Sequence, residues 1–282
     1  MANSPVISVV MATYNNAQYI SGAIQSIRDQ SYSDYEFIIV DDGSTDGSRK
    51  IVEDHARRDA RIKVVYQKHC GLVSALNNGC GLAKGEYIAR LDSDDLAMPG
   101  RFEQQITYMM DYGVALLGGS IECIDSSGIK MSLINYPSWE TGLKEHLFVN
   151  CYIAHTTVMF RRDVFISLGG YRSEFEDAED YDLFLRMSDH HVVDNLSSVL
   201  CQYRIHNDQI SSRRASQVII SSIGARIATW ARRSGSMEPQ WIGKTVSRED
   251  IVRCGIRSEI IDALISNRKQ GIGSLLEWNG MS

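Results

Sequence analysis

The feature that most constrains this chain is a strict alternation over its first hundred residues. Short apolar runs alternate with stretches whose apolar residues recur at helical spacing. The runs Val6–Met11, Tyr35–Val40, Arg61–Tyr66 and Glu86–Leu91 predict strands. Tyr19–Ile27, with Ile20, Ile24 and Ile27 on one face, predicts a helix, as do Asp46–Ala56 and Leu72–Ala83. Strand–helix alternation of this kind implies an α/β fold with a parallel sheet flanked by helices. Such sheets bind ligands beyond the carboxyl ends of their strands. Three of the four runs end there on polar or acidic residues: Thr13-Tyr14-Asn15, Asp41-Asp42 and Asp92-Ser93-Asp94-Asp95.

Beyond Pro99 a helix is expected over Arg101–Met110 and a strand over Val114–Gly118, followed by mixed α+β structure as far as Tyr203. Two amphipathic helices then follow. One covers residues 215–233, with Ile219, Ile223, Ile227 and Trp230 on a shared face, and the other covers 256–266, with Ile256, Ile260 and Leu264. A chain of 282 residues with 44% apolar and 23% charged residues sustains a sizeable core. Its net charge of −6 argues against a dedicated nucleic-acid binder. The charge is uneven: residues 1–210 carry 18 Lys/Arg against 29 Asp/Glu, and residues 211–282 carry 11 against 6. The six cysteines form no CxxC pair, the N-terminus has no basic leader, and no apolar stretch is long enough to span a bilayer. The expectation is a reduced, cytoplasmic protein, with a peripheral location on the inner face of the membrane as an extension of that reading.

Two acidic groups stand out. Asp92-Ser93-Asp94-Asp95 sets three carboxylates in four positions directly after a strand. Like charges so close repel unless a cation or a donor-rich ligand relieves them, and Mg²⁺ or Mn²⁺ is typically held by one or two carboxylates together with substrate phosphates. The plainer alternative is a turn whose Asp residues cap the helix after Pro99. Glu179-Asp180-Tyr181-Asp182 opens an apolar helical stretch. Capping of exposed N–H groups explains it, and so does a general base at Asp180 that takes the proton from an acceptor hydroxyl. A single displacement with one base inverts the reacting carbon.

Taken in order, Val9-Val10-Met11-Ala12-Thr13-Tyr14-Asn15, Ile39 to Asp46, Gly85 to Asp95, Gly169-Gly170-Tyr171, Glu179 to Leu183 and Tyr203-Arg204-Ile205-His206 resemble the inverting glycosyltransferase family 2. The resemblance covers about residues 5–210 and implies a GT-A fold, a Rossmann-like mixed sheet flanked by helices. It implies that Thr13, Tyr14, Asp42, Asp92 and Ser93 bind the nucleotide and that Asp94 and His206 hold Mn²⁺ or Mg²⁺. It further implies that Asp180 is the catalytic base and that Glu179, Asp95 and His155 position donor or acceptor. His155 opens His155-Thr156-Thr157-Val158-Met159-Phe160-Arg161-Arg162, a stretch similar to one in bacterial O-antigen and capsule glycosyltransferases; a hydrogen-bonded His at a strand start is the alternative. Ala12 replaces a frequent Pro and Leu76 a frequent Arg, so a basic donor contact is absent at position 76. The implied donor is a UDP-linked glucose, galactose or N-acetylglucosamine, and the implied acceptor a glycan or lipid-linked saccharide.

The expected division is a catalytic domain over 1–210, with a nucleotide-sugar half at 1–118 and an acceptor half at 119–210, and a helical extension over 211–282. Arg213-Arg214, Arg232-Arg233 and Trp230 suit an anionic membrane surface. The bland alternative, a helical cap packed on the catalytic domain or on a second subunit, is favoured because most amphipathic helices bury their stripe. Two rival functions fare worse. A nucleotidyltransferase making sugar nucleotides needs a basic Gly-rich loop after the first strand, and Ala12–Gln18 carries no Lys or Arg. A non-catalytic sugar-binding scaffold would not need both acidic groups, so the presence of both disfavours it, and no G-x-G-x-x-G supports an oxidoreductase.

Overall fold

The computed structural model describes residues 4–138, 143–207, 209, 214–241, 245–262 and 265. Contacts divide the chain into two compact units, one of residues up to Gly170 with His190–Arg204, the other of Tyr171–Asp189 with the chain from Ile205 onward. The stretch with Asp180 and the segment carrying His206 thus belong to the second unit, a grouping that crosses the sequence-based boundary near residue 210.

The first unit is built on strands β1 (Ile7–Thr13), β2 (Tyr35–Asp41), β3 (Ile62–Tyr66) and β4 (Tyr87–Arg90), which pair in parallel in the order β3-β2-β1-β4. All seven residues of β1 and of β2 are buried, as expected of central strands covered on both faces. Their register sets Thr13 opposite Asp41, so the two strands run out together and their following loops are neighbours. Helices α1 (Ile20–Arg28), α2 (Ser48–Ala56) and α3 (Leu72–Leu82) fill the connections. The predicted face of α1 is the buried one: Ile20, Ala23, Ile24 and Ile27. On α3, a Cβ at Gly79 would meet Val10 Cγ1 at 2.7 Å, so the helix backbone lies directly on the sheet.

Past the two-residue β5 (Leu96–Ala97) and α4 (Arg101–Tyr112) the sheet becomes mixed. The added strands are β6 (Leu116–Ile124), β7 (Lys130–Ile134), β8 (Met159–Arg161) and β9 (Val193–Arg204). β8 runs antiparallel to both β4 and β6, β9 runs parallel to β6, and β5 and β7 are antiparallel additions to β9 and β6. Among the described residues the sheet has nine strands. Two short helices accompany this half, α5 (Leu143–Leu147) and α6 (Arg162–Ser167).

The second unit holds α7 (Glu179–His190), α8 (Ala215–Arg233) and α9 (Arg248–Arg253). The helix over 215–233 forms, and of its expected face Ile219 and Ile223 are buried, Ile227 is half-buried and Trp230 is exposed. Small residues do the packing, with Ala215, Ser221, Gly224, Ala225, Ala228 and Ala231 buried beside Ile219 and Ile223, whereas Trp230 is 62% exposed. A Cβ at Gly224 would meet Val246 Cγ1 at 3.0 Å, so close approach selects the small side chains. In the last stretch Ile261 is buried while Ile260 is exposed, which corrects the face assigned to Ile256 and Ile260; Leu264 lies outside the described residues. Arg232 and Arg233 both bind Asp189 within the unit, at 3.0 and 2.8 Å, and Arg213 lies outside the described residues.

Candidate active site

Three loops leave the carboxyl ends of β1, β2 and β4, and side chains stitch them together. Asn15 adopts a positive φ of 49°, which Asn tolerates better than most residues. Its Oδ1 accepts from Thr45 N at 2.7 Å, and its own N–H donates to Ser44 Oγ at 3.0 Å. Asn16 N donates to Ser48 Oγ (2.8 Å) and Ala17 N to Asp46 Oδ2 (2.9 Å). The Asn16 amide then crosses to Ser93 Oγ at 2.7 Å, tying the acidic loop to the first one. Ser93 is buried, so its hydroxyl is placed to hold this loop. Asp41 Oδ1 accepts from Ser44 N and turns the second loop at Gly43, whose φ of +82° and close approach to His69 N exclude a side chain.

Asp42 is almost fully buried, and its carboxylate is saturated. Oδ1 accepts from the Gln67 amide (2.7 Å) and Cys70 N (2.8 Å), and Oδ2 from Gly71 N (2.9 Å) and His69 Nδ1 (2.8 Å). Two carboxylate oxygens offer about four acceptor positions. Asp42 therefore organises the loop that leads into α3. His69, held in this way, stacks on Tyr14 with ring centroids 4.0 Å apart and an interplanar angle of 20°. Both rings are about half exposed, and together they form an aromatic platform at the carboxyl edge of the sheet. Thr13 is buried at the end of β1, and its hydroxyl has no hydrogen-bond partner.

The acidic loop rests on buried cations. Arg90, 2% exposed, closes the strand and pairs with Asp92 at 2.5 Å. Arg101, fully buried at the start of α4, donates to the carbonyls of Arg90 (2.8 Å), Thr156 (3.1 Å) and Val158 (3.3 Å). Burial pushes its pKa down to about 10, still well above neutrality. Arg204 is the third clamp. Its backbone N donates to Asp95 Oδ1 at 2.7 Å, its Nε to Asp94 O at 2.8 Å, and its guanidinium stacks 4.7 Å from the Tyr19 ring. His155 opens a 3₁₀ turn (His155–Thr157) whose Thr156 hydroxyl accepts from Asp92 N at 3.2 Å, so this turn packs against the acidic loop. Removal of water from the His155 ring, and the charge of Arg90, push its pKa well below the usual imidazole value; the ring is neutral at pH 7.

The carboxylates themselves are strained electrostatically. Burial raises the Asp92 pKa; Arg90 opposes this and Asp94 adds to it. Asp95, with no exposed surface, is raised well above the ordinary carboxylate range by burial and then by the charges of Asp94 and Asp92. Among the described residues its Oδ2 is buried without a hydrogen-bond partner. A hard divalent cation held by this loop would relieve the repulsion among its carboxylates, because it takes oxygen ligands and brings positive charge. Among the described residues no three His, Cys, Asp or Glu side chains form a ready-made coordination shell, so such a cation would draw most of its ligands from phosphate and water.

In the second unit Glu179 and Asp180 open α7, Glu179 buried and Asp180 partly exposed, with Asp180 Oδ1 accepting from Tyr181 N at 2.7 Å. Asp182 is fully buried and held by Arg172 (Nε, 3.0 Å) and by Arg186 (Nε, 2.8 Å). His206 is partly exposed, and its N–H donates to Gln209 Oε1 at 3.3 Å. Sequence reasoning missed Arg90, Arg101, Arg204 and His69. For Arg90 the signal was present, since an arginine inside a buried strand next to three carboxylates has to be charge-paired. All six cysteines are free thiols, and no helix among the described residues is long and apolar enough to cross a membrane.

The family model for Glycosyl transferase family 2 matches residues 8–169. The O-antigen biosynthesis glycosyltransferase WbnJ of Escherichia coli is 38% identical over 207 residues, 72% of this chain and 80% of that protein. The structure resembles Staphylococcus aureus TarS crystallised with UDP-GlcNAc (TM-score 0.62, 17% identity, 82% of this chain and 73% of that one). It also resembles the mannosyltransferase PcManGT from Pyrobaculum calidifontis with GDP-Man and Mn²⁺ (TM-score 0.59, 19% identity, 79% and 64%). The β3-β2-β1-β4 core with its antiparallel additions is the GT-A fold, and the chain belongs to glycosyl transferase family 2.

Proposed function

We propose that this glycosyltransferase moves a hexose or N-acetylhexosamine, with inversion, from a UDP-linked donor to a hydroxyl of a glycan or lipid-linked saccharide in surface polysaccharide synthesis. The observation that carries the reading is the acidic loop after β4: a part-exposed Asp92 and a fully buried Asp95, both with raised pKa values, on a platform of buried arginines. The Tyr14–His69 platform offers a flat face for a nucleobase, and Thr13 a buried hydroxyl beside it. Asp94 with Asp92 would hold Mn²⁺ or Mg²⁺, which when bound supplies counter-charge to the diphosphate. Asp180 takes the proton of the acceptor hydroxyl while its oxygen bonds to the anomeric carbon and the bond from that carbon to the diphosphate breaks. Glu179 and His155 orient the reacting sugars, the neutral imidazole serving as donor or acceptor. The kinship with an O-antigen enzyme supports the surface polysaccharide assignment.

The test is a screen of nucleotide-sugar hydrolysis and transfer with and without Mn²⁺, using wild type and D180N. Turnover is expected to require the metal, and D180N is expected to lose orders of magnitude in transfer while UDP still binds. Near-normal transfer by D180N would remove Asp180 as the base, and metal-independent turnover would remove the role of the acidic loop.

A further inference from the structure

The second unit contains a cavity of about 350 Å³, lined by residues 172–174 and 238–241. It lies wholly outside the segment matched by the family model, which ends at residue 169. Its floor is rigid. Arg172 donates to Asp182 on α7 (Nε, 3.0 Å) and to Glu238 (Nη1, 2.8 Å), and its guanidinium lies 4.6 Å from the centre of the Phe175 ring. The other Glu238 oxygen accepts from Arg232 at 3.0 Å, so this carboxylate is balanced by two cations. Trp241 meets Phe175 edge-on, with centroids 6.4 Å apart at 87°.

The remaining lining groups are unspent. The Glu174 carboxylate, the Gln240 amide and the Trp241 indole N–H have no hydrogen-bond partner among the described residues. An indole beside an amide and a carboxylate presents an apolar face rimmed with donors and acceptors. A sugar ring has the matching character, with C–H groups on its faces and hydroxyls at its edge. The volume sits at the small end of the roughly 300–1,000 Å³ range of ligand pockets, a size suited to one or two rings. A lipid chain would bury these polar groups without partners, and an anion would meet Glu174 and Glu238. We propose that this cavity is a subsite for a neutral sugar unit of the acceptor glycan, a claim that rests on the glycosyl-transfer reading above. Arg172 ties its wall to Asp182, two residues along α7 from Asp180, so binding energy gained in the cavity is delivered to the helix bearing the proposed base.

The test uses the full chain with 5-fluorotryptophan at its four Trp positions, the Trp241 resonance being assigned by its loss in W241F. Lactose, cellobiose, maltose and chitobiose are titrated separately, with inorganic phosphate as the anionic control. At least one disaccharide is expected to shift the Trp241 signal saturably. Gln240→Ala and Glu174→Gln are each expected to weaken that response about tenfold, the loss of one hydrogen bond. No shift with any disaccharide, or an equal shift with phosphate, overturns the subsite. UDP with Mn²⁺, added to the same wild-type sample and followed by calorimetry, reports separately on the donor site; its failure would count against glycosyl transfer.

Discussion

Replacing Asp42 by Asn tests whether this residue acts by holding a loop. The side chain keeps its shape, but one of its oxygens becomes an NH₂ group. Whichever way the amide turns, two of the four donors facing it (Gln67 and Cys70 on one side, Gly71 and His69 on the other) meet a donor in place of an acceptor. A hydrogen bond to a charged group contributes about 1.5–3 kcal/mol. With His69 half exposed, its contact belongs at or below the bottom of that range. The loss is about 3 kcal/mol, and at about 2–4 °C per kcal/mol for a chain of this size the melting midpoint falls by roughly 6–12 °C. Because His69 also sets the Tyr14 platform, UDP affinity is expected to fall about tenfold, equivalent to about 1.4 kcal/mol. Thermal melts followed by circular dichroism, with calorimetry of UDP binding, measure both quantities. A midpoint within about 1 °C of wild type would refute the argument that these four contacts fix the loop.

Two further outcomes follow from the geometry. Asp95→Asn keeps the acceptor for Arg204 N but removes a carboxyl whose folded pKa is raised; the stability tied to the raised pKa is present at low pH and lost as pH rises through the folded value. The melting midpoint of D95N relative to wild type should therefore climb as pH rises above the ordinary carboxylate range, and a pH-independent difference would contradict the charge repulsion inferred for this loop. Trp230 stands 62% exposed on α8, and if it anchors the protein on an anionic bilayer, W230A will co-sediment less with phosphatidylglycerol vesicles than wild type does; equal binding would leave α8 as a packing element alone.

The βα core was legible because each strand and helix of the first hundred residues carries its own periodicity, from Ile7–Thr13 to Tyr87–Arg90. β5 was not legible, since two residues hold no period and exist as a strand only through β9. Trp230 misled because helical spacing extended the face of Ile219 and Ile223 to it, while the C-terminal turns of α8 pack through Ala225, Ala228 and Ala231. At the site, the sequence marks acids at strand ends but not what they touch. Asp42 is implied as a nucleotide contact by the resemblance, and the sequence does not reveal that four donors also surround its carboxylate. Arg101 enters the sequence reading only as the first residue of a predicted helix, and its burial makes sense only once three carbonyls from separate segments meet it.

The stitching of the three loops also limits how the candidate donor site proposed above can be altered. Since Asn15, Asn16, Ala17, Ser44, Asp46, Ser48 and Ser93 hold one another across the ends of three strands, a graft of residues 41–48 alone would strand the partners left behind. Exchange of specificity between relatives is expected to succeed only when the segments after β1, β2 and β4 are transplanted as a set.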